Sequence, residues 1–72
     1  MSKYQSVLRD LRIDHDLTQA EVANALGTSQ TMYGRYERGA SEIPVRHLIK
    51  LAKLYNVSVD YILGLSKKKK KK

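Results

Sequence analysis

Between Leu17 and Gly39, start and stop signals for two short helices lie so close together that almost nothing else fits between them. Thr18 and Glu21 have the spacing of a capping box: the Thr18 hydroxyl accepts from the backbone N–H three residues on, and Glu21 reaches back to the Thr18 N–H. Val22, Ala23 and Leu26 then recur at helical spacing and give this helix one apolar face. Gly27 follows where a helix commonly ends in a left-handed conformation, which glycine adopts at low cost. Two residues later Ser29 is a second N-cap, opening a helix over about Gln30 to Arg38 that Gly39 closes. Only a sharp turn fits between the two caps.

The second helix is expected to have two faces. Tyr33 and Tyr36, three apart, pack inward with Met32 at the flank. Thr31, Gly34, Arg35 and Arg38 stand at i, i+3, i+4 and i+7 and predict one exposed stripe. Short side chains near its start and cations toward its end suit a surface lying between two phosphate walls. Two helices turned this tightly, the second polar and basic on its outer side, form a helix-turn-helix, which places one helix in the major groove of DNA. Gly34 departs from what a helix prefers, at roughly 0.5–1 kcal/mol relative to Ala. Either its missing side chain lets the backbone approach the groove, or it is tolerated drift at an exposed position.

The rest of the chain also reads as helices. Tyr4, Val7, Leu8 and Leu11 make a helical stripe and predict a first helix over about Lys3 to Asp14. Pro44 suits the first turn of a fourth helix, whose broad apolar face is Val45, Leu48, Ile49, Leu51, Ala52 and Tyr55, with Asn56 as C-cap. Ser58 caps a last short helix, Val59 to Leu63, stopping at Gly64. There is no alternating strand pattern and no internal repeat, and the one linker is Arg38 to Ile43. The expectation is all-α: five helices in one compact bundle.

Seventy-two residues leave room for one core, here 1–66, and a domain so small is marginally stable alone. The absence of Cys removes disulfides and thiolate metal sites and suits a reducing cytoplasm. No apolar run approaches the roughly 20 residues of a membrane span, and no secretory signal opens the chain, so the expected location is cytoplasmic. The formal charge of +7 comes mostly from Lys67 to Lys72; without those six lysines, 8 basic residues face 7 acidic ones. Six consecutive lysines repel one another and predict a disordered tail over 67–72, natural or added, that neutralises phosphates without reading sequence. Placement says more than total charge. Arg35, Arg38 and Arg46 lie in or just after the second helix of the motif, while Asp10, Asp14 and Asp16 lie in or after the first helix of the chain.

Three segments together are far more specific than any one of them: Leu17-Thr18-Gln19-Ala20-Glu21, Tyr36-Glu37-Arg38-Gly39 and Tyr55-Asn56-Val57-Ser58-Val59-Asp60-Tyr61-Ile62-Leu63-Gly64. From about Leu8 to Gly64 the chain resembles the helix-turn-helix domain of phage repressors and Cro proteins, and of the large family of small bacterial regulators built on it. The resemblance implies a sequence-specific binder of double-stranded DNA acting as a small transcriptional regulator. It points to a repressor, working as a homodimer on a near-palindromic operator.

The resemblance also implies roles for particular residues. Arg12, late in the first helix, pairs with Glu37 and fixes the recognition helix. Gln30, Thr31 and Arg35 face base edges, where Gln suits adenine, Arg suits guanine, and the Thr methyl suits thymine. Gln19, at the start of the second helix, bonds a phosphate with help from the helix dipole. Ser29, Arg38 and Arg46 are further phosphate candidates. Val59, Ile62 and Leu65 meet the two-fold mate, unless Ile62 is simply core.

Asp14-His15-Asp16 could be imagined as a metal or acid–base cluster, but neighbouring residues in a connection point different ways. Nothing supplies a nucleophile with a base and an orienting group. His47 reads as a surface or boundary residue. No enzyme, metal, cofactor or small-molecule ligand is expected. The alternative from a different class is a protein-interaction module, antitoxin-like or scaffolding, in which the same helices hold a protein partner.

Overall fold

Three helix starts in this protein are set by short polar side chains that satisfy otherwise orphaned backbone N–H groups. The computed structural model describes residues 4–66, so the poly-lysine segment at 67–72 lies outside the described residues. Five helices follow in order: α1 (Tyr4–Asp14), α2 (Gln19–Leu26), α3 (Gln30–Arg38), α4 (Val45–Tyr55) and α5 (Val59–Ile62), with no strand among the described residues. Thr18, Ser29 and Ser58 accept from the backbone N–H of Glu21, Met32 and Tyr61, and Thr18 with Glu21 completes the capping box. Gly27 and Gly39 end α2 and α3 at φ 78° and 79°, and Asn56 ends α4 at φ 56°. Each of these left-handed residues turns the chain sharply, so five helices fit within extents of 30 × 24 × 21 Å.

α3 packs on α1 and α2, α4 packs on α2 and α5, and α5 closes back onto α1. The core they enclose includes Leu8, Leu11, Val22, Leu26, Tyr33, Tyr36, Leu51, Tyr55 and Ile62. The α3–α4 connection is tied to the body by Ile43, buried, whose N–H donates to the Tyr4 hydroxyl at 3.3 Å.

α4 differs from its sequence reading in three respects. Pro44 is the N-cap rather than a member of the first turn, with its carbonyl accepting from His47 and Leu48 N–H. The buried face is His47, Leu48, Leu51, Ala52 and Tyr55, while Val45 and Ile49 remain exposed among the described residues. His47 is therefore an interior residue, 4% exposed, with its ring 5.9 Å from that of Tyr36. Its position on α4 matches a core position, and only packing against α3 reveals it.

Ile62 is likewise core. It is fully buried within one chain, because α5 lies against both α1 and α4, and so presents no surface to a second copy. Of the three residues assigned to a dimer face, Leu65 is exposed and Val59 half-buried.

The interior position of His47 predicts a pH dependence. Burial holds its pKa below the ordinary 6.5, assisted by the charges of Arg46 and Lys50. The unfolded chain takes up that proton near 6.5, whereas the folded chain resists it. Stability is thus full above that value and falls as pH drops below it. The urea midpoint is expected to decrease between about pH 7.5 and 5.5, and His47→Leu to abolish most of that decrease. An unchanged midpoint in the wild type would show that His47 protonates in place.

Candidate nucleic-acid interface

α3 is locked on its inner side before anything is asked of its outer side. Tyr33 and Tyr36 are buried and meet edge to face at 6.3 Å. One turn from Tyr33, the Glu37 carboxylate is 4% exposed and collects donors from two other elements. Arg12 of α1 donates from Nε to Oε2 at 2.7 Å and from Nη2 to Oε1 at 3.2 Å, and Gln19 of α2 donates from Nε2 to Oε1 at 3.0 Å. The remaining Arg12 nitrogen, Nη1, donates to the Leu17 carbonyl at 3.0 Å and so pins the α1–α2 connection. A forked, charge-assisted contact of this kind fixes orientation as well as distance.

The electrostatics follow from that geometry. Burial alone would push the Glu37 carboxyl up, but hydrogen bonds from Arg12 and Gln19, the nearby Tyr33 hydroxyl and the Arg12 charge outweigh it and leave the pKa below its ordinary value. The buried Tyr33 hydroxyl approaches this carboxylate without reaching good hydrogen-bond geometry. Burial and the Glu37 charge push Tyr33 well up, and the same two causes push Tyr55 up to about 12. Neither tyrosine ionises at neutral pH, so the pocket holds one anion and one cation.

On the outer side of α3, Gln30, Thr31, Arg35 and Arg38 are exposed. Ser29, also exposed, uses its hydroxyl oxygen as the cap on Met32 N–H at 3.1 Å, which leaves the hydroxyl proton for a further partner. Arg35 has a tether that the sequence did not suggest: its Nε donates to the Ser41 hydroxyl at 3.0 Å. Arg46 is exposed in the first turn of α4. Gln19 is half-buried at the first position of α2, with one amide hydrogen committed to Glu37 and the helix N-terminus beside it.

Gly34 does not belong to the exposed stripe; it is buried. A Cβ built there would meet Arg38 Nη1 and Gln19 Oε1, each at 3.4 Å. These two long side chains converge over the Gly34 backbone, so the missing side chain makes room for them rather than for the groove. Both contacts are ordinary van der Waals distances to flexible ends. Gly34→Ala is therefore expected to stabilise the protein by about 0.5–1 kcal/mol through helix propensity, read as a higher urea midpoint. A lower midpoint would show that the Gln19–Glu37 hydrogen bond does not tolerate the added methyl.

Asp14, the last residue of α1, and His15 and Asp16 in the α1–α2 connection are exposed, and His15 Nδ1 lies 2.8 Å from the Leu11 carbonyl. Among the described residues no group of three His, Cys, Asp or Glu is arranged to hold a metal ion. No helix among them is long and apolar enough to cross a membrane.

A family model described as Helix-turn-helix matches residues 8–62. The uncharacterised HTH-type transcriptional regulator YobD of Bacillus subtilis is 46% identical over 88% of this chain and 56% of its own length. The cryptic phage CTXphi transcriptional repressor RstR of Vibrio cholerae is 41% identical over 85% of this chain and 55% of its own length. The antitoxin PezA of Streptococcus pneumoniae is 37% identical over 83% of this chain and 38% of its own length. The chain thus spans about half, or less, of the curated relatives it matches. Among solved structures, the P22 c2 repressor in complex with a synthetic operator superposes with a TM-score of 0.81 at 24% identity, over 92% of this chain and 100% of that one. That likeness extends to the fold.

Proposed function

This chain belongs to the helix-turn-helix family, and from that premise we propose that it is a sequence-specific binder of double-stranded DNA acting as a small transcriptional regulator, specifically a repressor. The observation that carries the reading is the division of α3 into two sides. Tyr33, Tyr36 and Glu37 are anchored inward while Gln30, Thr31 and Arg35 stand exposed. A helix held this firmly delivers its outer side chains to base edges at a defined register.

Gln30, Thr31 and Arg35 read bases in the major groove. Ser29, Arg38, Arg46 and the N-terminus of α2 with Gln19 bind the flanking phosphates, which set register but carry no sequence information. One α3 covers only a few base pairs, so the protein acts as a homodimer on a near-palindromic site in the cytoplasm, with Leu65 and Val59 on the contact face. The relatives named as a transcriptional regulator and a transcriptional repressor support this assignment.

Selection of bound duplexes from a random pool at roughly 0.15 M salt tests the proposal. Recovery of a palindromic consensus is the expected result. Arg35→Ala should then lose the preference at one base-pair position per half-site, about 1–3 kcal/mol. Arg38→Ala should instead weaken all sequences by similar factors. An Arg35→Ala consensus identical to the wild type would remove Arg35 from the readout.

The similarity to an antitoxin favours a second reading, in which the same helices hold a protein partner. Absence of any specific duplex from the selection, together with a stable complex with a co-expressed protein, would favour it.

A further inference from the structure

Arg35 is the one proposed base-reading side chain with an intramolecular partner among the described contacts. Its Nε donates to Ser41 Oγ at 3.0 Å. The backbone sets up this tether. The Arg35 carbonyl accepts from Ala40 N–H at 2.9 Å and from Ser41 N–H at 3.3 Å, so the chain beyond the left-handed Gly39 folds back over the last turn of α3. Ser41 is thus held to Arg35 at both main chain and side chain, while Ile43, two residues on, is anchored in the core and bonded to Tyr4.

We propose that Ser41 is a specificity-determining residue: it holds the Arg35 guanidinium so that only its terminal edge, Nη1 and Nη2, is free to bond a guanine. The inference rests on the base-reading role of Arg35 proposed above. A guanidinium has two edges that can present a pair of parallel donors, one formed by Nε and a terminal nitrogen, the other by the two terminal nitrogens. With Nε occupied, the first edge is blocked. The second matches guanine O6 and N7. The tether also orders a long, exposed side chain before DNA arrives, so less conformational freedom is lost on binding. Lysine at position 35 could not use this arrangement, because it has neither an Nε–H to tether nor a second edge to present.

The test is a double-mutant comparison on full-length protein, using duplexes carrying the selected consensus and its single-base variants. Ser41→Ala keeps the backbone bond to the Arg35 carbonyl and the net charge. It is expected to lower affinity for the consensus by about 2- to 10-fold, the range for ordering one long side chain, and to shrink discrimination at the Arg35 base pair alone. The slope of affinity against salt should not change, since no phosphate contact is removed. Ser41→Thr should restore discrimination. In an Arg35→Ala background, Ser41→Ala should have no further effect.

Weakening of all sequences alike by Ser41→Ala would mean that the hydroxyl serves a phosphate, and would overturn the proposal. An unchanged preference at the Arg35 position in Ser41→Ala, alongside a changed one in Arg35→Ala, would overturn the tether while leaving Arg35 as a reader. An unchanged preference in Arg35→Ala itself would overturn both.

Discussion

Ile62→Asp unfolds the domain at every protein concentration. Removing a fully buried isoleucine down to its Cβ already costs about 2–5 kcal/mol, and the aspartate adds a carboxylate with no partner in an apolar interior. A single core in a chain of this length supplies only about 3–5 kcal/mol in total. α5 has four residues, and Ile62 is the one it buries completely, with Val59 and Tyr61 only partly buried beside it, so Ile62 is its main hold on α1 and α4. Circular dichroism should show loss of helix, and sedimentation an expanded monomer. Leu65→Asp, at a residue 74% exposed, should keep its helical signal and weaken only self-association or operator binding. A folded Ile62→Asp variant that merely dissociates would put Ile62 back on the dimer face.

Arg12→Leu has an effect of similar size for an electrostatic reason. It leaves Glu37 with its Gln19 hydrogen bond but without its counter-ion, 4% exposed, and breaking one partner of a buried pair costs about 3–5 kcal/mol. It also removes the Nη1 donor from the Leu17 carbonyl. The sign of the pH dependence should change with it. In the wild type the Glu37 pKa lies below the ordinary 4.5, so its contribution is present above that value and is lost as pH falls through the lowered one. Without Arg12, burial raises the carboxyl pKa instead, and acidification relieves the unpaired charge. The difference in urea midpoint between variant and wild type should therefore narrow toward about pH 4.5. Arg12→Leu with Glu37→Leu should recover much of the loss, because apolar pairs often replace buried ion pairs at little cost. A single Arg12→Leu variant as stable as the wild type would show that water reaches Glu37.

Local chemistry explains which parts of this structure are legible in the sequence. Thr18 with Glu21, Gly27, Ser29, Gly39, Asn56 and Ser58 each act on backbone groups within a few residues of themselves, so the signals that bound α2 to α5 are readable one segment at a time. Burial at Gly34, His47 and Ile62 depends on which helix crosses above them. Helical periodicity says only that a face exists, and Gly34 shares its stripe with truly exposed Thr31 and Arg35. The contacts that join distant segments are the least legible. Gln19 and Glu37 are 18 apart in sequence, and Arg12 and Glu37 are 25 apart. The second pair is suggested by resemblance and by nothing in the spacing. Arg35 and Ser41 are close in sequence, yet their bond requires the chain to reverse at Gly39, and serine in a connection carries no such signal by itself.

The division of α3 into an anchored side and an exposed side separates two kinds of evolutionary change. Gln30, Thr31 and Arg35 make no contribution to the core, whereas Tyr33, Tyr36 and Glu37 hold the helix in place. A lineage could therefore exchange the exposed set, and with it the DNA site recognised, while the melting temperature stays nearly constant. The coupling returns at Ser41. A descendant that replaces Arg35 with a residue lacking Nε–H has no further use for that hydroxyl, so positions 35 and 41 are expected to vary together, although 41 need never touch DNA.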